Sequence, residues 1–177
     1  MKRNNIKEKI KGYFFVCPSS RLRVRQMEKE LNLPLPSVIR YAYELEKEGI
    51  LKKIKTGNVV FYSADRASEN FLLEKKLYNL KSIFQSGLAD YLIQQYSNPA
   101  VAVFGSYSKG EDTETSDIDL YIETASNKKL SFEKYENCLQ RRIQLFVHKT
   151  IKEVKSKELA NSVINGVIIN GYIEVFT

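Results

Sequence analysis

Residues 101–123 read VAVFGSYSKGEDTETSDIDLYIE and contain the most informative pattern in the chain. The apolar run 101–104 predicts a buried strand, because it is short and ends at a turn signal. Gly105 and Ser106 supply that signal and predict the start of a helix directly after the strand. A turn of this kind exposes backbone N–H groups, which are suited to binding an anion.

The second half of the stretch carries two acidic residues at the start of another apolar run. Residues 118–122 predict a second strand. Asp117 and Asp119 lie two residues apart, so a strand would direct both side chains to one face of the sheet. Two carboxylates side by side indicate a bound cation. An acidic surface loop after an ordinary strand would not account for the apolar runs that flank the pair.

The order of these features resembles the DNA polymerase beta type of nucleotidyltransferase, especially its minimal members. Their motif is a hydrophobic strand, Gly-Ser, a basic residue with Gly, and then Asp-x-Asp. The residues that match are Gly105, Ser106, Lys109, Gly110, Ser116, Asp117 and Asp119. The resemblance implies that a hydroxyl attacks the α-phosphorus of a nucleoside triphosphate and that pyrophosphate leaves.

The resemblance also implies a role for each matching residue. Asp117 and Asp119 would be catalytic and would hold Mg²⁺ or Mn²⁺ together with the triphosphate. Gly105 and Ser106 would bind the phosphates. Lys109 would reach a phosphate as a point charge, although a solvated surface lysine is an equally good interpretation.

The family carries a third carboxylate on a later strand, and this chain departs from the family there. The strand predicted at residues 142–147 has Gln144 at the corresponding catalytic position. Glutamine is neutral and cannot act as a base. Its carbonyl oxygen would bind a second Mg²⁺ far less well than a carboxylate would. The substitution argues against a two-metal mechanism.

No other acid replaces the missing one. Glu123 shares the predicted face of Asp119 but lies about 13 Å further along an extended strand, too far to share a metal. Glu133 and Glu136 fall in a predicted helix, where we interpret them as solvated charges.

The positive charge of the chain is concentrated at one end. Residues 1–66 contain 15 Lys and Arg against 7 Asp and Glu, a net charge of +8. The remaining residues contain 13 against 14, a net charge of −1, so the formal charge of +7 comes from the first part of the chain. A basic module beside a nearly neutral one suggests a nucleic-acid-binding part joined to a second domain.

The basic end has the pattern of three helices followed by a hairpin. Helical periodicity covers residues 6–15, 24–31 and 37–48, and two short strands are predicted at 51–55 and 59–62 around a turn with Gly57. This order resembles a winged helix-turn-helix domain. The resemblance implies binding to double-stranded DNA, although winged helices also serve as protein–protein adaptors.

On this interpretation the third helix would enter the major groove and the hairpin would approach the backbone. The predicted groove residues are Ser37, Arg40 and Glu44, with Arg40 the strongest candidate. The predicted phosphate contacts are Lys52, Lys53 and Lys55 in the hairpin, joined by Arg21, Arg23 and Arg25 before the second helix.

The predicted fold class is α+β in three parts. A winged helix occupies residues 1–66, connecting helices occupy 67–98, and a nucleotidyltransferase-like domain occupies 99–177. The apolar face of residues 88–96 packs internally or forms a homodimer surface.

The last domain is predicted as a small mixed sheet of three strands, 101–104, 118–122 and 143–147, with helices on one side. Two further helices are expected at 150–157 and 158–170, followed by a β-like segment at 172–176.

Length and composition agree with a cytoplasmic protein of two small domains. The chain has 177 residues, its two cysteines lie in different modules, and it has no signal peptide or apolar run long enough to cross a membrane. We therefore expect reduced thiols and no membrane association.

Two functional classes remain open from the sequence. The first is an enzyme that moves a nucleotide from a triphosphate to a hydroxyl and is targeted by DNA binding. The second is a transcriptional regulator whose transferase-like domain is catalytically impaired. Minimal nucleotidyltransferases often accompany a toxin-like partner protein, so an antitoxin role is a third alternative by family analogy.

Overall fold

The computed structural model describes residues 2–126 and 128–176. The chain divides into two compact units, Met1–Tyr78 and Asn79–Thr177, and the division falls inside a helix. The three-part division at residues 66 and 98 stays a prediction.

The first unit contains helices and one small antiparallel sheet. Its strands lie in the order β1-β3-β2, and β2 and β3 form the predicted hairpin. The elements are α1 (Lys2–Val16), β1 (Arg21–Leu22), α2 (Val24–Leu31), α3 (Leu35–Lys47), β2 (Leu51–Thr56), β3 (Val59–Ala64) and the start of α4 (Glu69–Gln85).

Helix α3 shows why this unit folds as it does. Its buried residues recur at a spacing of three or four, which places them on one side of the helix; they are Val38, Tyr41, Ala42 and Leu45. They join a core that includes Phe14, Met27 and Phe71. The three predicted helices and the hairpin are confirmed. The assignment of this unit to the winged helix-turn-helix class stays a prediction.

The second unit contains a four-stranded mixed sheet in the order β6-β5-β4-β7. Strands β5 and β6 are parallel, and β4 is antiparallel to both β5 and β7. The elements after α4 are α5 (Leu88–Gln95), β4 (Ala100–Phe104), α6 (Gly105–Lys109), β5 (Ile118–Glu123), α7 (Glu133–Leu139), β6 (Ile143–His148), a 3₁₀ helix (Ile151–Glu153), α8 (Lys157–Ile164) and β7 (Val167–Asn170).

Both faces of this sheet are covered, because successive side chains on a strand point to opposite sides. On one face Val103 and Leu120 pack with Leu92 of α5 and Leu139 of α7. On the other face lies a second cluster, which contains Ala102, Phe104, Tyr121, Ile151 and Val163. The prediction of helices on one side only was wrong, because the 3₁₀ helix and α8 cover the second face.

The predictions for the end of the chain were also wrong. Helix α8 stops at Ile164, and residues 167–170 form β7 on the edge of the sheet. Residues 172–176 do not form a strand. Residues 150–157 contain the 3₁₀ helix and the first residue of α8, not a full helix. Periodicity cannot distinguish a short apolar run in a strand from one in a helix. The edge of β4 supplies backbone partners that favour the strand for the Val-Ile-Ile run.

No helix within the described residues is long and apolar enough to cross a membrane.

Candidate functional site

The candidate site forms where three neighbouring strands of the second sheet meet. Phe104 at the end of β4 pairs with Asp119 near the start of β5, and Asp119 pairs with Gln144 near the start of β6. The antiparallel β4–β5 pair and the parallel β5–β6 pair together bring these strand ends to one edge. Side chains paired in register point to the same face, so Asp119 and Gln144 are direct neighbours.

The Gly-Ser turn follows directly from β4 and lies against Asp119. Gly105 has a φ of +71°, in the left-handed region that favours glycine. A Cβ built on Gly105 would collide with the Asp119 carboxylate and would lie 3.3 Å from its Cγ. The turn can therefore approach the acid this closely only because residue 105 has no side chain.

The position of Asp119 in the sheet raises the pKa of its carboxyl. Burial raises the pKa of its carboxyl, and the neighbouring charge of Asp117 raises that pKa further. Asp117 itself is exposed at the start of β5. The two acids form an electrostatically coupled pair at the mouth of the site, and a cation would relieve their repulsion.

The other predicted nucleotide-binding residues lie on α6. Ser106 is half-buried in its first turn, and Lys109 is exposed at its end. Gly110 ends the helix with a φ of +77°. Ser116 organises the loop that leads to the acids, since its Oγ accepts a hydrogen bond from Thr113 N at 2.9 Å.

The remaining acids nearby have structural partners. Glu123 accepts hydrogen bonds from the Tyr121 hydroxyl at 3.1 Å and from Ile151 N at 2.5 Å. Glu136 accepts a hydrogen bond from Ile143 N at 2.9 Å. Among the described residues there is no cluster of three or more His, Cys, Asp or Glu that could hold a metal. The acidic part of the site thus consists of Asp117 and Asp119.

The sequence did not reveal a buried polar network behind α6. It consists of Asn79, Asp112 and Arg141. Asp112 is 1% exposed, Asn79 2% and Arg141 7%. None of the three belongs to a recognisable motif, and they lie about 30 residues apart in sequence, so no local signal could have connected them.

An open cleft adjoins Asp117. Its volume is about 640 Å³, and the loop 114–117 and the turn between α7 and β6 line it, including Arg142. The cleft leaves room for a ligand beside Asp117.

In the first unit, the predicted groove residues on α3 have different surroundings. Arg40 is exposed and stacks over the Tyr41 ring at 4.2 Å. Glu44 is half-buried and pairs with Arg40 at 3.5 Å and with Lys7 at 4.0 Å. Ser37 is half-buried in the first turn.

The same helix exposes two large side chains that were not among the residues predicted from the sequence. Ile39 and Tyr43 are 49% and 47% exposed. The ammonium groups of Lys47 and Lys53 lie 4.6 Å and 5.1 Å from the Tyr43 ring. Their exposure was not visible in the sequence, because it depends on which face of α3 packs on the core.

The predicted backbone contacts lie on exposed elements. Lys53 pairs with Glu46 at 2.9 Å and Lys52 with Asp65 at 3.7 Å, and Lys55 is exposed on β2. Arg21, Arg23 and Arg25 are also exposed. A cleft of about 730 Å³ is lined by Arg23, Arg25, Lys29 and the hairpin turn.

A sheet edge that combines a Gly-Ser turn with paired aspartates is the arrangement expected of a nucleotidyltransferase. A family model described as a nucleotidyltransferase domain matches residues 86–169. The chain belongs to this nucleotidyltransferase domain family. That part of the sequence prediction is confirmed.

Two similar proteins come from Methanocaldococcus jannaschii, and each is named "Putative protein adenylyltransferase". One is 34% identical over 84 residues, which cover 44% of this chain and 83% of the relative. The other is 34% identical over 82 residues, which cover 44% of this chain and 94% of the relative. No solved structure matches the chain.

Proposed function

We propose that this protein transfers a nucleoside monophosphate from a triphosphate to a hydroxyl on a protein. Membership of the nucleotidyltransferase family supports the reaction type. The name shared by the two relatives suggests ATP as the donor and a protein as the acceptor. The observation that carries the proposal is the packing of Asp119 between the Gly105 turn and Gln144 on the neighbouring strand.

The acidic pair fits one Mg²⁺ or Mn²⁺. Mg²⁺ commonly takes one or two carboxylates, with substrate phosphates and waters as its other ligands. Asp117 and Asp119 meet this need. Burial raises the pKa of Asp119 and the charge of Asp117 raises it further, and a cation would remove the repulsion between the two carboxylates. Bound metal would neutralise charge on the phosphates.

The protein's own residues would orient the reactants. Ser106 and the backbone of the turn would hold the phosphates, and Lys109 would add a positive charge at their outer end. The acceptor hydroxyl would attack the α-phosphorus and lose its proton to water, while the bond from the α-phosphorus to the bridging oxygen breaks and pyrophosphate leaves with that oxygen. Positioning and charge stabilisation supply most of the catalysis in phosphoryl-transfer reactions.

The test is transfer of label from α-labelled ATP to protein acceptors with Mg²⁺ or Mn²⁺. We expect labelling by the native chain and its loss in Asp119→Asn, a nearly isosteric change that removes the charge. Asp90→Asn, on α5, is the matched control and should retain labelling. Equal labelling by the native chain and Asp119→Asn would contradict the proposal.

A second candidate function follows from Gln144. A site with a neutral residue beside Asp119 would bind a metal-triphosphate without turning it over, as in a regulator or an antitoxin that acts on a toxin-like partner protein. Gln144→Asp separates the two functions, because Gln144 is exposed and tolerates the change sterically. If only Gln144→Asp transfers label while the native chain binds ATP, the regulator is correct.

We also propose that the first unit is a winged helix-turn-helix that binds double-stranded DNA. The element order α1-β1-α2-α3-β2-β3 and the exposed basic residues support this assignment. Arg40 is the strongest groove candidate; it pairs with Glu44, which also pairs with Lys7. DNA binding would direct nucleotide transfer or sensing to a position on the genome.

The test for this unit is binding of labelled duplexes in a mobility-shift titration. Arg40→Ala should weaken binding to a selected sequence by about 1–3 kcal/mol if Arg40 reads a base. Lys76→Ala, outside the first 66 residues, is the control. An Arg40→Ala variant that binds as tightly as the native chain would exclude Arg40 from the interface.

A further inference from the structure

We propose that the buried polar network formed by Asn79, Asp112 and Arg141 positions the triphosphate-binding turn. This inference rests on the proposed nucleotidyl transfer. Asn79 Nδ2 donates hydrogen bonds to the Tyr107 carbonyl at 2.9 Å and to Asp112 Oδ1 at 2.7 Å. Arg141 Nη2 donates to Asp112 Oδ2 at 3.3 Å. Asn79 and Asp112 are buried and act through their partners, whereas Arg141 also lines the cleft beside Asp117.

The network is too deeply buried to be an incidental surface pair. The side chains of Asp112 and Arg141 are 0% and 4% exposed. Taking two charges out of water carries a desolvation cost that their attraction often fails to offset, and well-packed apolar residues are frequently at least as stable. Stability alone therefore does not explain why charged and amide groups fill this position, whereas a requirement for fixed geometry does.

The network connects α6, the loop that leads to Asp117 and the turn that precedes β6. The Tyr107 carbonyl belongs to α6, one residue after Ser106, and it accepts hydrogen bonds from Asn79 Nδ2 at 2.9 Å and from Gly110 N at 3.4 Å. Asp112 lies in the loop that leads to Asp117. Arg141 precedes β6, and the next residue, Arg142, accepts a hydrogen bond through its carbonyl from Ile118 N at 2.8 Å.

The arrangement predicts a specific loss of affinity for the metal-triphosphate. Without Asn79, α6 would lose the hydrogen bond that a side chain of α4 donates to its Tyr107 carbonyl, and Ser106 would shift relative to Asp119. Small misplacements of binding groups can reduce rates by about 100-fold. Affinity for the metal-triphosphate should therefore fall, because α6 carries the proposed phosphate-binding residue Ser106.

The experiment compares Asn79→Leu with Ile83→Ala in the full-length chain. Both residues lie on α4 and are buried, but the side chain of Ile83 is apolar and belongs to the hydrophobic cluster that also contains Tyr107. Both variants should lose thermal stability. Only Asn79→Leu should weaken binding of MgATP, by about 10- to 100-fold, measured by titration calorimetry at a temperature where both are folded. Equal MgATP affinities in the two variants would overturn the proposal.

A second variant covers the case in which Asn79→Leu does not fold. The double substitution Asp112→Leu/Arg141→Met replaces the ion pair with apolar side chains, an exchange that other proteins tolerate. It should fold and still lose MgATP affinity, since Asn79 no longer has its carboxylate partner. Native-like affinity in this folded variant would also overturn the proposal.

Measurements on the native chain separate failure of the proposed function from failure of the positioning role. If it binds no MgATP, the proposed function fails and this inference fails with it. If the native chain binds MgATP and loses that binding in Asp119→Asn, the function stands. The network variants then decide the positioning role alone.

Discussion

Gly105 is the residue on which the geometry of the site depends most directly. Its left-handed backbone lets the chain turn from β4 into α6, and its missing side chain leaves space for the Asp119 carboxylate. Both properties are needed at the same position. The motif therefore specifies glycine for a conformational reason and for a steric one.

A comparison of Gly105→Ala with Gly87→Ala should separate the effect of the left-handed backbone from the effect of the missing side chain. Gly87 has a φ of +79° and nothing within 4 Å of a built Cβ, so its alanine variant meets only backbone strain. Each substitution should cost about 1–2 kcal/mol of stability from the left-handed backbone. Gly105→Ala should in addition displace Asp119 and reduce MgATP affinity, measured by calorimetry. Similar MgATP affinities in both variants would contradict the steric role.

The Asp119 carboxyl should titrate above its ordinary value of 3.8, because burial and the charge of Asp117 both raise its pKa. We expect carboxyl NMR of the metal-free chain to show this. Asp117→Asn should move the midpoint down by removing the like charge, and Asp65→Asn, in the other unit, should leave it unchanged. A midpoint that does not respond to Asp117→Asn would exclude the coupling.

The same shift sets a pH dependence of binding and of stability. A raised pKa means that the native state binds the proton more tightly than the unfolded chain does, so this carboxyl lowers stability as the pH rises from its ordinary value through the raised one. Metal-triphosphate binding needs the ionised form and should weaken as the pH falls through the same range. Asp119→Asn should therefore be at least as stable as the native chain at neutral pH while it binds no metal.

At the scale of elements, β7 closes the sheet beside β4 and depends on a close approach. A Cβ on Gly166, between α8 and β7, would lie 2.6 Å from the Val103 carbonyl oxygen and 2.9 Å from Phe104 Cβ. Both contacts are with the strand that leads to the Gly105 turn. The position of β7 is thus linked through β4 to the geometry of the site.

Gly166→Ala should destabilise the second unit by about 1–3 kcal/mol, the usual cost of overpacking. Urea unfolding followed by circular dichroism measures this change. Ser162→Ala, at an exposed position on α8, is the control and should have little effect. A Gly166→Ala variant as stable as the native chain would show that β4 and β7 separate easily.

At the scale of the whole molecule, the two ends of the chain have different electrostatic properties. The net charge through residue 66 is +8 and that of the remainder is −1. Lysines and arginines that bind DNA phosphates release counterions, so affinity should fall steeply as salt increases. Because the positive charge is concentrated in residues 1–66, we expect only these residues to contribute to the salt dependence of DNA affinity.

Lys55→Ala should reduce the slope of log affinity against log salt by about 1, because Lys55 is exposed and is a proposed phosphate contact. Lys81→Ala, an exposed lysine of the second unit, should leave the slope unchanged. Duplex binding measured from low to moderate salt tests both. A salt-insensitive interaction of the native chain would indicate that the first unit binds a protein instead of DNA.

Local patterns in the sequence determined the helices of the first unit, the strands of residues 101–104 and 118–122, and the Gly-Ser turn. Each of these depends on residues within a few positions of one another, where periodicity and turn chemistry act. The position of Gln144 beside Asp119 was also predictable, through the family motif and the strand that contains it.

Only the tertiary structure decided the strand state of residues 167–170, the cover on the second face of the sheet and the network of Asn79, Asp112 and Arg141. An apolar run becomes a strand when a neighbouring edge supplies its backbone partners, and β4 lies more than 60 residues earlier in sequence. Buried polar side chains likewise find partners across the fold. Their hydrogen bonds depend on distances in space that no local pattern encodes.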